Sequence, residues 1–314
     1  MAANTIFILS LKSSGSSLLQ RMLVQRLGGR VSKSEAHYEN ETLFWTKAAS
    51  VLGLKQGPMP NSRYPKNSHT AKRELVDFFD SNGLDTRMDL KNEADIFAAW
   101  TALVEQDSSV LIEKSPHHLY QPSNVALMER YADAVAGRVN VRFVGLIRNP
   151  MDTIYSSWRR FGVSPDREEA HWIAAYATLQ QLQERRPDLV TLVRYEDCIG
   201  GGFDPAVLGL PLAEVASSEA TRTSSLGKWR RDAGYGFTLS PAARALALEY
   251  GYDAFTLTNP HARSWAYRRV PRAAFYSAVS RLPAAFERSM RDTARKLLAK
   301  KSASMPDGRS ALQS

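Results

Sequence analysis

The chain has 314 residues, 44% hydrophobic and 23% charged, a composition typical of a globular protein with a sizeable core. Its sequence holds no apolar stretch near the roughly 20 residues that a membrane-spanning helix requires. The single cysteine, Cys198, excludes an internal disulfide and favours a reducing, cytoplasmic location. No Cys/His cluster has zinc spacing, so no metal is expected. The net charge of +9 indicates anionic partners, either cofactors and substrates or nucleic acid.

The first predicted unit is a strand over residues 5–11, a Ser/Gly loop, a helix over 16–27 and a short strand over 31–34. The pair Gly28-Gly29 is typical of a helix end. We expect these elements to form a βαβ unit. The loop would then follow the carboxyl end of the first strand, where ligands of parallel sheets bind.

Residues 35–73 are rich in Asn, Pro, His, Lys and aromatics and predict a loop-rich insertion with one helical piece around 42–52. Beyond it, hydrophobic periodicity predicts further elements. Helices are expected over 70–80, 92–106, 123–136, 150–161 and 167–186, and strands over 110–112, 141–147 and 189–193. Strands that alternate with helices predict a three-layer α/β fold with a central parallel sheet.

Arg148 directly follows a predicted buried strand and precedes a predicted helix start at Asn149 and Pro150. The free N–H groups of a helix start and an always-charged guanidinium together favour a bound phosphate. Ser156, about two turns into the helix, adds a hydroxyl to the same site. The alternative is that Arg148 pairs with Asp152 and only caps the helix.

A second such pattern lies near the N-terminus, where the first strand leads into residues 13–17, Ser-Ser-Gly-Ser-Ser. Gly15 permits close approach of a phosphate to the backbone, and Lys12 is a candidate cation. The alternative is an ordinary helix cap. The pattern G-x-x-x-x-G-K-[ST] is missing, because Ser16-Ser17 follow the glycine. Two separate anion sites predict a ligand with phosphate at two places.

These residues resemble the two cofactor-binding signatures of the sulfotransferases that use 3′-phosphoadenosine 5′-phosphosulfate (PAPS). In that family a loop of the type Arg/Lys-Ser-Gly-Thr-Thr holds the 5′-phosphosulfate, and an Arg…Ser pair spaced like Arg148 and Ser156 holds the 3′-phosphate. Three further motifs follow in the family's order: Glu113-Lys114-Ser115-Pro116-His117, Arg194-Tyr195-Glu196-Asp197 and Gly227-Lys228-Trp229. The resemblance spans residues 5 to about 255. It implies a P-loop-containing nucleotide hydrolase-like sulfotransferase fold, with PAPS as the cofactor and no metal.

The loop departs from the family pattern, because Ser13 occupies the position of the usual Arg/Lys. Either an extra loop residue lets Lys12 reach inward, or another cation such as Lys114 or Lys228 replaces it. For Lys228 the alternative is a surface turn beside a buried tryptophan. The residues that the resemblance assigns to the cofactor are Lys12, Ser13, Ser14, Gly15, Ser16, Ser17, Arg148, Ser156, Lys228 and Trp229.

Glu35 is the first candidate for the general base, twenty residues after Gly15. The resemblance supports it, since the protein-tyrosine sulfotransferases carry a catalytic glutamate at a similar distance. His37, Glu39 and Glu113 are the competing candidates. The alternative is that Glu35, His37 and Glu39 are polar residues of a surface loop with no catalytic role. A base needs geometry as well as charge, so the sequence leaves this choice open.

Lys114 follows the predicted central strand. The catalytic candidates are therefore Glu35, His37, Lys12 and Lys114. By the resemblance, Lys114 and Ser115 approach the phosphosulfate or the acceptor. The alternative is a simple ion pair between Glu113 and Lys114 at the strand end. The motif at residues 194–197 is expected to hold loops together around the site.

The predicted function is transfer of a sulfuryl group from PAPS to a hydroxyl acceptor, with a carbohydrate or lipid-linked acceptor favoured over another small molecule and no nucleic acid partner. Two rival functions stay open. One is an ATP-dependent nucleotide or sugar kinase. The other is a non-catalytic protein that binds anions or nucleic acid through its basic surface.

The predicted organisation is a sulfotransferase domain over 1–262, a basic and partly helical segment over 263–301, and a tail over 302–314 whose composition predicts disorder. Apolar residues near helical spacing make the basic segment amphipathic. Packing on the domain or contact with a second subunit is the favoured role. Adsorption to the inner face of an anionic membrane is the alternative.

Overall fold

The computed structural model describes residues 2–34, 40–59, 62–84, 89–213 and 226–262. Within them a single four-stranded sheet has the order β2-β1-β3-β4, and every neighbouring pair is parallel. Its strands are β1 (Ala3–Leu9), β2 (Leu111–Lys114), β3 (Val139–Ile147) and β4 (Val190–Arg194). The predicted α/β class is confirmed. Because all strands run the same way, the loops that follow them meet at one edge.

Nine α-helices surround the sheet in the described residues, and each helix predicted within those ranges is present. Those over 16–27 and 150–161 are confirmed to the residue. The helices are α1 (Ser16–Leu27), α2 (Phe44–Val51), α3 (Ser68–Ser81), α4 (Glu93–Val104), α5 (Pro122–Ala134), α6 (Pro150–Phe161), α7 (Pro165–Arg185), α8 (Tyr195–Gly200) and α9 (Pro241–Glu249). The sequence did not lead us to expect α8 or α9.

The sheet is covered on both faces, which gives the three predicted layers. Side chains of β1 alternate between the faces, as in any strand. Phe7 and Leu9 enter a large cluster with aromatic residues of α2 and α4, and the Phe7 ring stacks on Phe143 at 5.7 Å. Ile6 and Ile8 enter a smaller cluster with α1 and α8. Burial on both sides fixes the strand ends from which the loops project.

The expected strand over residues 31–34 is wrong. Only Arg30 bridges to the sheet, where its N–H donates to Val110 O and its carbonyl accepts from Ile112, both at 2.8 Å. Val31 alone is apolar in a Val-Ser-Lys-Ser stretch, too little to bury a strand between two layers. The next strand beside β1 along the chain is therefore β2, not a strand at 31–34.

Among the described residues, no helix is long and apolar enough to cross a membrane. Nor does any group of three or more His, Cys, Asp and Glu side chains in those ranges have the arrangement of a metal site. The basic segment at 263–301 and the tail at 302–314 lie outside the described residues, so the expectations for them, including the domain boundaries, stay predictions.

Candidate functional site

The loop between β1 and α1 makes a tight turn that only glycine can complete. Ser13 and Gly15 have left-handed backbones, with φ of 65° and 91°, and the Ser14 N–H donates to Leu11 O at 3.3 Å. A Cβ on Gly15 would lie 2.2 Å from a ring carbon of Tyr195. Both the backbone angle and this contact exclude other side chains at Gly15. The α1 start therefore presents bare backbone, with no side-chain cap.

Two tyrosines lie beside the loop. Tyr176 donates from its hydroxyl to Leu146 O at 3.0 Å, so Ser14 Oγ, 3.3 Å away, donates to Tyr176. The Tyr120 hydroxyl lies beside the backbone of Lys12. Burial raises the pKa of both phenols above the ordinary value. The neutral Tyr176 hydroxyl therefore links the loop at Ser14 to the end of β3.

Arg148, the first residue after β3, lies against this loop. Its Nη1 donates to Ser13 O at 2.8 Å, and its guanidinium carbon is 4.6 Å from the centre of the Tyr195 ring. The side chain is buried, with 7% of its surface exposed. The two anion-binding elements predicted from separate parts of the sequence are therefore in direct contact at one edge of the sheet.

Asn149 begins α6 as predicted, since its side chain accepts from Met151 N–H at 2.9 Å. The Asn149 N–H itself donates to Glu196 Oε1 at 3.0 Å, and Glu196 Oε2 accepts from Tyr252 at 2.8 Å. Glu196 belongs to the motif at residues 194–197. The expectation that this motif holds loops together is thus confirmed at the start of α6.

Asp152 has a different partner from the one considered in the sequence. Its Oδ1 accepts the Gly227 N–H at 2.9 Å, which ties the segment before the turn at Lys228–Arg231 to the first turn of α6. Burial raises the pKa of Asp152 to about 6, although the nearby Arg148 charge opposes the shift. Asp152 therefore fastens the late segment of the chain to the α6 start.

Lys114 is the last residue of β2, which lies at the side of the described four-stranded sheet, so the expectation that Lys114 follows the central strand is wrong. Its side chain points to the same site. Its Nζ donates to Ser17 Oγ, in the first turn of α1, at 2.7 Å, and lies 3.8 Å from Glu41. Its side chain is 1% exposed. Neighbouring residues of a strand face opposite ways, and Glu113 accordingly finds other partners. The simple Glu113–Lys114 ion pair considered above is not what organises this strand end.

The remaining predicted residues lie in varied surroundings. Lys12 and Ser156 are half-buried, and Lys228 is exposed. Trp229 is 1% exposed and belongs to the main core cluster, so its side chain is a packing group. The described ranges do not include the remaining predicted residues Glu35, His37 and Glu39.

Several contacts that shape the site carried no clear signal in the sequence. Ser14 and Tyr176 are 162 residues apart, and Lys114 and Ser17 are 97 apart. Tyr195 stood inside a recognised motif, but nothing in the motif indicated that its ring would face Gly15. Such contacts depend on which strands are neighbours, and pairing order is not written in local periodicity.

The parallel sheet and the glycine turn before α1, with Arg148 beside it, define the class of P-loop-like α/β proteins. A family model described as the Sulfotransferase family matches residues 5–201, more than half of the chain. The chain therefore belongs to the sulfotransferase family, a family of enzymes that use PAPS. The matched residues run from β1 past α8 and include the loop, Lys114 and Arg148, but not Lys228. No curated protein matches the chain.

Proposed function

We propose that this protein transfers the sulfuryl group of PAPS to a hydroxyl acceptor, directly and without a metal. The observation that carries the proposal is the contact between Arg148 and the Ser13 carbonyl. A nucleoside with phosphate at both its 3′ and 5′ positions needs two anion-binding elements within its own length. Residues 13–17 and the start of α6 meet that need at one edge of the sheet.

Arg148 and Ser156, with the N–H groups that begin α6, are proposed to hold the 3′-phosphate. The planar guanidinium suits two-point contact with phosphate, and it is already held between Ser13 and the Tyr195 ring. A preset orientation lowers the entropy lost on binding. The half-buried position of Ser156 leaves part of its surface accessible.

The turn at residues 13–17 is proposed to hold the phosphosulfate end. The α1 start that follows Gly15 has no side-chain cap, so its first N–H groups are proposed as the donors to that anion. PAPS supplies a sulfur centre whose leaving group is a phosphate. The task of the chain is therefore to position both partners and stabilise the charge that grows on the leaving oxygen.

Lys114 is our proposed cation for that leaving oxygen. Its Nζ reaches the first turn of α1 through Ser17 from a fully buried stem, a position fixed by the β2 strand. Lys12 is the alternative, since it lies in the loop itself, and exposed Lys228 is a further candidate for contact with the cofactor phosphates. A buried and hydrogen-bonded ammonium is better preorganised than a surface one, which favours Lys114.

Glu35 is the proposed base that takes the proton of the acceptor hydroxyl, with His37 and Glu39 as the alternatives. All three are proposed from their place in the sequence. Glu113, the fourth candidate, is an unsuitable base because its carboxylate is buried and accepts three hydrogen bonds. An acceptor oxygen would have to displace those partners to reach it.

The acceptor is proposed to be a carbohydrate or a lipid-linked hydroxyl. The C-terminal residues 263–314, which include the basic segment, are relevant to a lipid-linked acceptor because a positive charge attracts anionic membranes. They contain 12 Lys and Arg against 3 Asp and Glu. Their net charge of +9 equals that of the whole chain, so residues 1–262 are neutral overall. We propose contact with the domain or a second subunit as the role of this segment, and adsorption to an anionic membrane as the alternative. Cosedimentation with anionic and neutral vesicles separates the two.

Calorimetry with 3′-phosphoadenosine 5′-phosphate (PAP), ATP and AMP tests the proposal. We expect selective binding of PAP, lost in Arg148→Ala. Arg142→Ala is the matched control, since Arg142 lies on β3, the strand that leads to Arg148, but donates to Asp188 O. It should bind PAP like the wild type. Equal affinity for AMP and PAP would contradict the proposal. Tight magnesium-dependent ATP binding would also contradict it and would favour a kinase.

A further inference from the structure

Glu113 is a buried carboxylate with an unusually complete set of donors. Its Oε1 accepts from the hydroxyls of Thr42 and Ser115, both at 2.7 Å, and its Oε2 lies 2.9 Å from His118 Nε2. The side chains of Glu113 and His118 are fully buried. A buried charge persists only where such partners replace water. These three donors therefore replace the water that the buried Glu113 carboxylate has lost.

The same network fastens the chain that enters α2 to the end of β2. Thr42 Oγ1 accepts the Phe44 N–H at 3.0 Å, and Ser115 Oγ accepts the Leu43 N–H at 3.0 Å. Each hydroxyl that donates to Glu113 thus also holds a backbone amide. Residues 40–43 come directly after 35–39, which carry the proposed base. Glu113 is consequently the common acceptor between that segment and the sheet.

The charge on Glu113 is itself maintained by these partners. Burial raises its pKa, but the facing His118 and the hydrogen bonds from Ser115 and Thr42 outweigh burial and hold the pKa below its ordinary value. The carboxylate is therefore ionised at neutral pH and accepts from all three donors at once. A glutamine of the same size would be a weaker anchor, because its single uncharged oxygen can serve the two hydroxyls but leaves an NH2 group in place of the acceptor that faces His118.

Lys114 is the next residue along β2 and points to the opposite face, toward Ser17 in the first turn of α1. Its direction is set by the strand end that Glu113 anchors. The Lys114 ammonium also lies 3.8 Å from Glu41, in the segment that Thr42 ties to Glu113. Two connections therefore run from the Glu113 network to the Lys114 ammonium.

We infer that Glu113 is a positioning residue for sulfuryl transfer. It holds the Lys114 ammonium and the segment leading into α2 in one fixed arrangement, through Thr42, Ser115 and His118, without touching cofactor or acceptor. The inference rests on the proposed function and deepens it. It predicts a defect in turnover that leaves the phosphate-binding residues near Arg148 unaffected.

The test is Glu113→Gln, which keeps the size of the side chain and removes one acceptor. We expect kcat to fall about 10–100-fold, as for other supporting residues around a reacting group. KM for PAPS and the affinity for PAP should change less than about threefold. The matched control is Thr5→Val, which loses a buried hydrogen bond to Leu111 O on the neighbouring strand. It should leave kcat near the wild-type value.

Thr42 provides a second route should Glu113→Gln fail to fold. Thr42→Ser keeps the hydroxyl and should keep kcat, whereas Thr42→Val should lower it like Glu113→Gln. An unchanged kcat in both Glu113→Gln and Thr42→Val would overturn the inference. A parallel loss of kcat and PAP affinity would also overturn the inference, because that pattern indicates general damage to the fold.

Amide hydrogen exchange keeps this inference separate from the proposed function. The Leu43 and Phe44 amides should exchange faster in Glu113→Gln than in Thr5→Val, since the hydroxyls that hold them lose the charged oxygen that orients them. A wild-type protein that binds no PAP would end the proposed function while this measurement still tests the anchoring. Unchanged exchange at both amides would overturn the anchoring itself.

Discussion

Arg148 donates a hydrogen bond of 2.8 Å from Nη1 to the carbonyl oxygen of Ser13, a residue 135 positions earlier in the chain. The bond joins the two loops that follow the neighbouring strands β1 and β3. It uses one of five guanidinium donors and fixes the plane of the group. The residues proposed to bind the two phosphates are thus linked to each other through the backbone of the loop.

Gly15→Ala should damage the protein far more than Gly53→Ala. Both glycines have positive φ, 91° and 66°, so each substitution incurs about 1–2 kcal/mol of backbone strain. Only the Cβ at residue 15 meets another group, the Tyr195 ring, whereas the space around Gly53 is open. We expect an additional 1–3 kcal/mol or so of destabilisation for Gly15→Ala, with PAP affinity reduced about tenfold or more. Urea unfolding and calorimetry measure the two effects. Similar losses in both variants would show that Tyr195 yields to the methyl group.

Arg148→Lys should weaken PAP binding although it keeps the charge. Lysine offers a point charge without the forked donors that match a phosphate, and it cannot hold the same contact with Ser13 O. Loss of a charge-assisted hydrogen bond of about 1.5–3 kcal/mol corresponds to about a 10–100-fold loss of affinity. Calorimetry should find AMP binding unchanged, since AMP lacks the 3′-phosphate. Arg142→Lys is the control, and equal losses for AMP and PAP would contradict the assignment.

Lys114→Met and Lys12→Met decide which cation serves the leaving oxygen. Methionine preserves the length of a buried stem, so packing around Lys114 should survive. We expect Lys114→Met to lower kcat by about a hundredfold or more, the usual effect of removing one donor to a developing charge. Lys12→Met should have a smaller effect. The reverse order, measured by radiolabelled sulfate transfer from PAPS, would assign the role to Lys12.

The sequence predicted the elements whose pattern is local. The predicted bounds of α1 and α6 agree with the structure to the residue, and each helix ends at a glycine, Gly28 and Gly162. The strand expected at 31–34 failed because strand formation depends on a neighbour, and β2 takes that place beside β1. Helix α9 was missed although Ser240 and Pro241 form an ordinary helix start.

The same distinction applies to the site. The places of Arg148 and Gly15 could be predicted, because Arg148 directly follows a strand and Gly15 directly precedes a helix. The support from Tyr176 and Tyr195, and the reach of Lys114 to Ser17, could not. These contacts join residues far apart in the chain, and they exist only once the sheet order β2-β1-β3-β4 brings the strand ends together.

Asp152→Asn should make stability less dependent on pH. Burial raises the folded-state pKa of Asp152 to about 6, above its unfolded value, so the folded protein binds more protons between roughly pH 4 and 6. The contribution of Asp152 to the free energy of unfolding therefore falls as pH rises through that window, by about 3 kcal/mol in all. Asparagine carries no charge and still offers Oδ1 to the Gly227 N–H.

The measurement is urea unfolding of the wild type and Asp152→Asn at several pH values from 4 to 7. The variant should gain stability relative to the wild type as pH rises, and most of the gain should lie below pH 7. Glu105→Gln is a control of opposite sign, because the hydrogen bonds from Arg138 lower the pKa of Glu105. Its stability relative to the wild type should fall with rising pH at the acid end of the range, up to the ordinary pKa of a glutamate, and stay level above it. A flat difference for Asp152→Asn would mean that Asp152 is not held as a buried carboxylate beside Arg148.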